Sequence, residues 1–159
     1  MMNFYSENND GAVTQIYLQP CQLFALHGEY RVTTVLGSCI AVCLYDPIQK
    51  IGGINHFMLP LWNGIELASP KYGNIAIEKL IEKLNSLGSK TSQLEAKIFG
   101  GANQVSTILN IGERNILVAK QLLSEHKIPI KSENVGGTKG RKIIFETNTG
   151  SVLMKFLIK

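Results

Sequence analysis

The chain has 159 residues, 45% of them apolar and 18% charged, with 16 Lys plus Arg against 12 Asp plus Glu and three Cys. That length supports one domain with its own core and no need of metal or disulfide staples, and the apolar fraction excludes a wholly disordered chain. The net charge of +4 is spread over Lys interleaved with Glu, without the basic stripe of a nucleic-acid binder, and the longest apolar run, Ile40 to Tyr45, is far too short to span a bilayer.

The opening MMNFYSENND has neither the basic nor the apolar region of a signal peptide, so the expected compartment is the cytoplasm. Three irregularly placed thiols, Cys21, Cys39 and Cys43, suit a reducing environment. Residues 1–11 are expected to form a flexible N-terminus and residues 12–159 a single domain. Strands are predicted over residues 13–18, 30–35, 39–45 and 51–59, followed by a loop over 60–70. Ile77, Leu80, Ile81, Leu84 and Leu87 then recur at helical spacing, which predicts a helix from Asn74 that Gly88 terminates. A short strand over 96–99 ends at Gly100-Gly101. A second helix is predicted over 113–126, with Ile116, Ala119, Leu122 and Leu123 inward and Pro129 beyond its end. Residues 135–140 read as a turn region, and 142–147 with 151–158 as a closing hairpin around Asn148-Thr149-Gly150. Strands outnumber helices and are mostly joined by short turns, so the fold class is α+β: largely antiparallel sheets with two main helices packed on one side.

Chemistry concentrates between Thr33 and His56. Asp46-Pro47 suits the start of a type I turn, and a loop over 46–49 would pair Tyr45 with Lys50. Carried along the hairpin, that register sets Cys39 directly opposite His56 on one face of the sheet. A thiol is a poor nucleophile until a base takes its proton, and an imidazole can do so and later return the proton to a leaving amine. The imidazole needs a group to orient it, for which Thr33 and Thr34 both stand nearby. The bend at Gly37-Ser38 could aim the backbone N–H groups of Ser38 and Cys39 at a developing oxyanion. Together these parts describe acyl transfer at an amide or ester. Cys39 should be alkylated well before Cys21 or Cys43, because its thiolate fraction and its exposure should be the highest of the three.

Blander readings compete. Cys43, in a strand on the same face as Cys39, suits a small buried hydrophobe, and Cys21 reads as inert. A zinc site of Cys39, Cys43 and His56 fits poorly, because C-x3-C in one strand is the wrong spacing and no fourth ligand lies near. His27 and His126 read as surface or helix-end residues, and Trp62 suits a core contact as well as a groove. Residues 136–142 resemble a phosphate cradle in composition, yet they match neither phosphate-binding motif and precede a strand.

Leu36-Gly37-Ser38-Cys39, Asn55-His56-Phe57-Met58-Leu59-Pro60, Tyr72-Gly73, Ala96 through Ala102, Ile111-Gly112-Glu113-Arg114-Asn115 and Val135 through Lys142 together resemble the chemoreceptor glutamine deamidase family, CheD. The resemblance spans residues 12–158, in order and with compatible spacing. It implies a single-domain α/β/β sandwich and a cytoplasmic chemotaxis enzyme, a hydrolase that converts glutamine side chains of methyl-accepting receptors to glutamate with release of ammonia. It implies no cofactor and no metal. Carried over to this sequence, Cys39 resembles the nucleophile, His56 the general base and acid, and Thr33 the first choice for the assisting Thr, with Thr34 beside it. The partners implied are the receptors' cytoplasmic helices and, in many systems, the phosphatase CheC. The runner-up reading is a regulatory binding module for those partners with catalysis weak or secondary; hydrolysis of receptor methyl esters by the same dyad is a third.

Overall fold

The structure, a computed structural model, describes residues 5–6, 13–104 and 109–158. Its elements in chain order are β1 (Tyr5–Ser6), β2 (Thr14–Tyr17), β3 (Leu23–Ala25), β4 (Tyr30–Leu36), β5 (Ile40–Asp46), β6 (Ile51–Asn55), α1 (Gly73–Ser86), β7 (Glu95–Gly100), α2 (Ile111–Glu125), β8 (Ile130–Val135), β9 (Arg141–Glu146) and β10 (Val152–Phe156). The flexible N-terminus expected over residues 1–11 lies, apart from β1, outside the described residues.

Two sheets form, in the orders β1-β2-β4-β9-β10 and β3-β6-β5-β7-β8. Their burial follows from their sequences. In β4, Val32, Thr34 and Leu36 are buried while Arg31 and Val35 are exposed, the period-two pattern of a sheet with one wet face. In β5 nearly every residue of Ile-Ala-Val-Cys-Leu-Tyr-Asp is buried, as a central strand covered on both sides must be. One side of β5, through Ile40, Val42 and Leu44, packs on Ala76, Ile77, Leu80 and Leu84 of α1 and on Ala119 and Leu123 of α2. Its other side, through Ala41 and Cys43, meets Val32, Leu36, Ile143 and Phe145 of the first sheet. The layers are therefore helices, second sheet, first sheet, which is the expected α+β sandwich with both helices on one side.

Both helices end in the same way. Gly88 takes φ +107°, its N–H bonds the Asn85 carbonyl and the Ser89 N–H bonds the Leu84 carbonyl, a Schellman closure that satisfies both of those last-turn carbonyls. At the end of α2 the same closure is made by Lys127 at φ +57°, with Lys127 N–H on Ser124 and Ile128 N–H on Leu123. At its start Asn110 accepts the Glu113 N–H.

The structure corrects the expected hairpin register, adds strands that were not expected, and shows two parallel pairings within the largely antiparallel sheets that were. The β5–β6 hairpin pairs Asp46 with Ile51, not Tyr45 with Lys50, so the loop is Pro47 to Lys50. Asp46 is wholly buried; its Oδ1 accepts the N–H groups of Ile48 and Gln49 and its carbonyl accepts that of Lys50, which the positive φ of Lys50 allows. Two pairings are parallel, β2 with β4 and β7 with β8, because the chain visits the other sheet as β3 in the first case and crosses over through α2 in the second. Finally, the three-residue β3 was not foreseen, nor was β8. Its sequence, Ile-Lys-Ser-Glu-Asn-Val, exposes three polar residues in a row at a sheet edge and so carries no alternation to read.

Candidate active site

The segment Gly37-Ser38-Cys39 carries the chain from β4 in the first sheet to β5 in the second. Cys39 thus sits at one end of the sandwich, where the two sheets are joined. The β5–β6 register places Ala41 opposite His56 and is resumed by the bridge between Ile40 and Phe57. Relative to the expected pairing the shift is two residues, an even number, so His56 keeps the face of the sheet that Cys39 and Ala41 occupy. It now stands one diagonal step from Cys39, a spacing of roughly 7 Å in a regular antiparallel pair. Where β6 ends, the Asn55 side chain takes the Val42 N–H at 2.9 Å in place of the main-chain partner. The His56 backbone turns to the other side, its N–H bonding Gln22 and its carbonyl accepting from Cys21.

The imidazole is held from the opposite sheet. Thr34 Oγ1 lies 2.7 Å from His56 Nδ1 and 2.8 Å from the Leu18 carbonyl oxygen. A carbonyl can only accept, so the single hydroxyl proton of Thr34 goes to Leu18, and Oγ1 must accept from Nδ1–H. Nδ1 therefore carries the imidazole proton and Nε2 keeps its lone pair. That Nε2 is buried and has no hydrogen-bond partner among the described residues. Thr33, the expected first choice, is on the wrong face: alternation along β4 turns Thr34 inward with Val32 and Leu36 and turns Thr33 outward with Arg31 and Val35.

Burial sets the charge states. His56 is 2% exposed, and desolvation pushes its pKa down from 6.5 to about 4. Cys39 is half-buried; desolvation first, then the neighbouring Cys21, push its thiol from 9.0 up to about 11, partly offset by its own backbone N–H. At neutral pH the pair rests as neutral thiol and neutral imidazole. Cys43 is buried between the sheets and its thiol is pushed strongly upward, as suits an inert core residue. Cys21 lies at the site's rim, its sulfur 3.4 Å from that of Met58.

Backbone around the thiol is clamped. Ala102 N–H bonds the Gly37 carbonyl and Gly101 N–H bonds the Cys39 carbonyl. Gly100 has φ +109°, and a Cβ there would lie 2.1 Å from the Cys39 carbonyl oxygen, so glycine is obligatory where β7 meets the thiol loop. Neither Ser38 nor Cys39 N–H bonds a backbone carbonyl among the described residues. Sequence reasoning also passed over Asn115, which is fully buried on α2 and reaches the Ser38 and Met58 carbonyls. The available signal was a polar residue on the helix face that Gly112 and Ala119 bury.

Other candidates fall away from this cluster. His126 Nε2 meets Glu78 Oε1 at 2.6 Å and ties α2 to α1, and His27 is exposed. Trp62 bonds back to its own loop through the Glu66 carbonyl and to Asn74. Arg141 fills the Gly-rich bend that had looked like a phosphate cradle, bonding the carbonyls of Gly100, Gly136 and Lys139. Among the described residues no three His, Cys, Asp or Glu converge as a metal site, and no helix is long and apolar enough to cross a membrane.

An uncharged thiol, an imidazole with a free Nε2 and backbone N–H groups at the thiol that bond no backbone carbonyl among the described residues form the equipment for addition to a carbonyl. Comparison with known proteins points to one group. The family model for CheD, described as chemotactic sensory transduction, matches residues 58–156. A protein of Sulfurimonas denitrificans named probable chemoreceptor glutamine deamidase CheD is 48% identical over 147 residues, covering 90% of this chain and 94% of the relative. One of the same name from Trichlorobacter lovleyi is 48% identical and covers 94% of each chain. A third, from Anaeromyxobacter dehalogenans, is 39% identical, covering 92% of this chain and 87% of the relative.

Proposed function

This chain belongs to the CheD family, and we propose that it hydrolyses glutamine side chains of methyl-accepting chemotaxis receptors to glutamate with Cys39 as nucleophile and His56 as base and acid. The relatives' names supply the substrate class. The observation that carries the mechanism is the hydrogen-bond chain from His56 Nδ1 through Thr34 to Leu18, which leaves Nε2 as a free base on the face shared with Cys39.

In this mechanism the Cys39 sulfur adds to the glutamine side-chain carbonyl while its proton passes to His56 Nε2. The Ser38 and Cys39 N–H groups receive the oxyanion. His56 hands the proton to the departing nitrogen, and ammonia leaves a thioester. Water then adds with His56 as base, the C–S bond breaks, and the thiol recovers its proton as glutamate is released. Neutral resting partners suit this sequence, because the proton moves only as the carbonyl charge develops. The reaction takes place in the cytoplasm, on the receptors' helical region, with residues 12–159 acting as one deamidase domain and CheC as a further partner at the same surface.

Incubation of the purified chain with a receptor fragment tests the reading: each converted glutamine gains about one mass unit, as amide hydrolysis requires. No gain, or an equal gain with Cys39→Ala, overturns it, and binding without mass gain would favour a regulatory module. Loss of methyl groups in place of ammonia would point to the esterase.

A further inference from the structure

We infer that Asn115 is a positioning residue that aims the Cys39 N–H at the oxyanion by holding the carbonyl on the other side of the same peptide. The inference rests on the assignment of Cys39 as an acyl-accepting nucleophile and deepens it.

Asn115 lies in the second turn of α2 with no exposed surface. Its Nδ2 is 2.9 Å from the Ser38 carbonyl oxygen and 3.0 Å from that of Met58. Both partners only accept, so the amide orientation is fixed by chemistry and both of its protons are used. The Ser38 carbonyl belongs to the peptide unit whose N–H is that of Cys39. In a planar trans peptide these two groups point in opposite directions. Holding the oxygen toward α2 therefore turns the N–H away from it, toward the inter-sheet end where His56 stands. The second bond reaches two residues past His56. One amide group thus spans the nucleophile's segment and the base's segment and fixes the distance between them.

The thiol loop has other anchors, but none does this. Gly101 and Ala102 hold the Cys39 and Gly37 carbonyls, the peptides on either side of the one at issue. Rotation of the Ser38–Cys39 peptide is restrained by Asn115.

The test separates orientation of an N–H from general integrity of the site. Attack on p-nitrophenyl acetate passes through an oxyanion: the C–S bond forms, the bond to nitrophenolate breaks and an acetyl thioester results. Alkylation by iodoacetamide displaces iodide at a saturated carbon and needs no oxyanion donor. In Asn115→Leu, of similar shape but without donors, Cys39 acylation should slow about 100-fold relative to the unmodified chain while alkylation stays within about threefold. Equal loss in both reactions, or loss in neither, overturns the inference. Asn115→Ser serves as the second variant if the leucine form does not fold. In the unmodified chain both Asn115 amide protons should exchange slowly with solvent, and fast exchange of either also overturns it. A chain that is acylated at Cys39 but deamidates no receptor fragment would sink the proposed function and leave the clamp standing; a chain not acylated at Cys39 would sink both.

Discussion

Thr34 and Thr33 are adjacent in sequence and identical in chemistry, yet only one meets the imidazole. The deciding information was present in β4: Arg31 marks the wet face, so Thr33 shares it and Thr34 does not. Thr34→Val should lower kcat on a receptor fragment by roughly 100-fold or more, because a Val can neither accept from Nδ1–H nor donate to Leu18, and the tautomer that frees Nε2 loses its support. Thr33→Val should leave kcat within about twofold, since surface changes remote from such features have small effects. Similar losses in both variants would contradict the hydrogen-bond chain. The charge states at Cys39 and His56 were not legible at all. Reference pKa values suggest a partly charged pair, and burial, which depends on layers packed from distant sequence, drives both groups neutral.

At the scale of elements, the helices were read well because periodicity and terminators agree, as with Ile77, Leu80, Ile81 and Leu84 before Gly88. The end of α2 was harder, since Lys127 holds the left-handed position that Gly88 holds in α1. An L-residue there carries about 1–2 kcal/mol of strain, which the greater chain entropy of an unfolded glycine offsets only in part. Lys127→Gly should therefore stabilise the protein by about 0.5–1 kcal/mol, and Gly88→Ala should destabilise it by about 1 kcal/mol. Thermal unfolding of the two variants checks both signs. Gly100→Ala should be far more damaging than Gly88→Ala, because a Cβ at Gly88 meets open space and one at Gly100 meets the Cys39 carbonyl. The hairpin register went astray by two residues because Asp46 spends its carboxylate inside the turn and remains paired with Ile51, which turn propensity alone does not reveal.

For the whole molecule, the site exists only because two sheets close on each other. Leu18 and Thr34 come from the first sheet, His56 and the start of β5 from the second, and Asn115 from the helical layer beneath. The closure has a measurable cost. Between pH 6.5 and about 4 the unfolded chain protonates His56 and the folded chain does not, so stability falls as pH drops through that window. The shift corresponds to roughly 3 kcal/mol. Urea unfolding at pH 7, 5.5 and 4 should show that loss, reduced by about that amount in His56→Gln; an unchanged pH dependence in the variant would show that His56 is not buried as a neutral imidazole. The sequence by itself determined the α+β class, the candidate thiol and imidazole, and the ordered motifs that resemble one family, because residue type, periodicity and spacing are local properties. The choice of Thr34 over Thr33, the neutral resting pair, the glycine contact on Cys39 and the reach of Asn115 were decided by tertiary structure, because each depends on which distant surface is packed against a side chain and how much water that packing excludes.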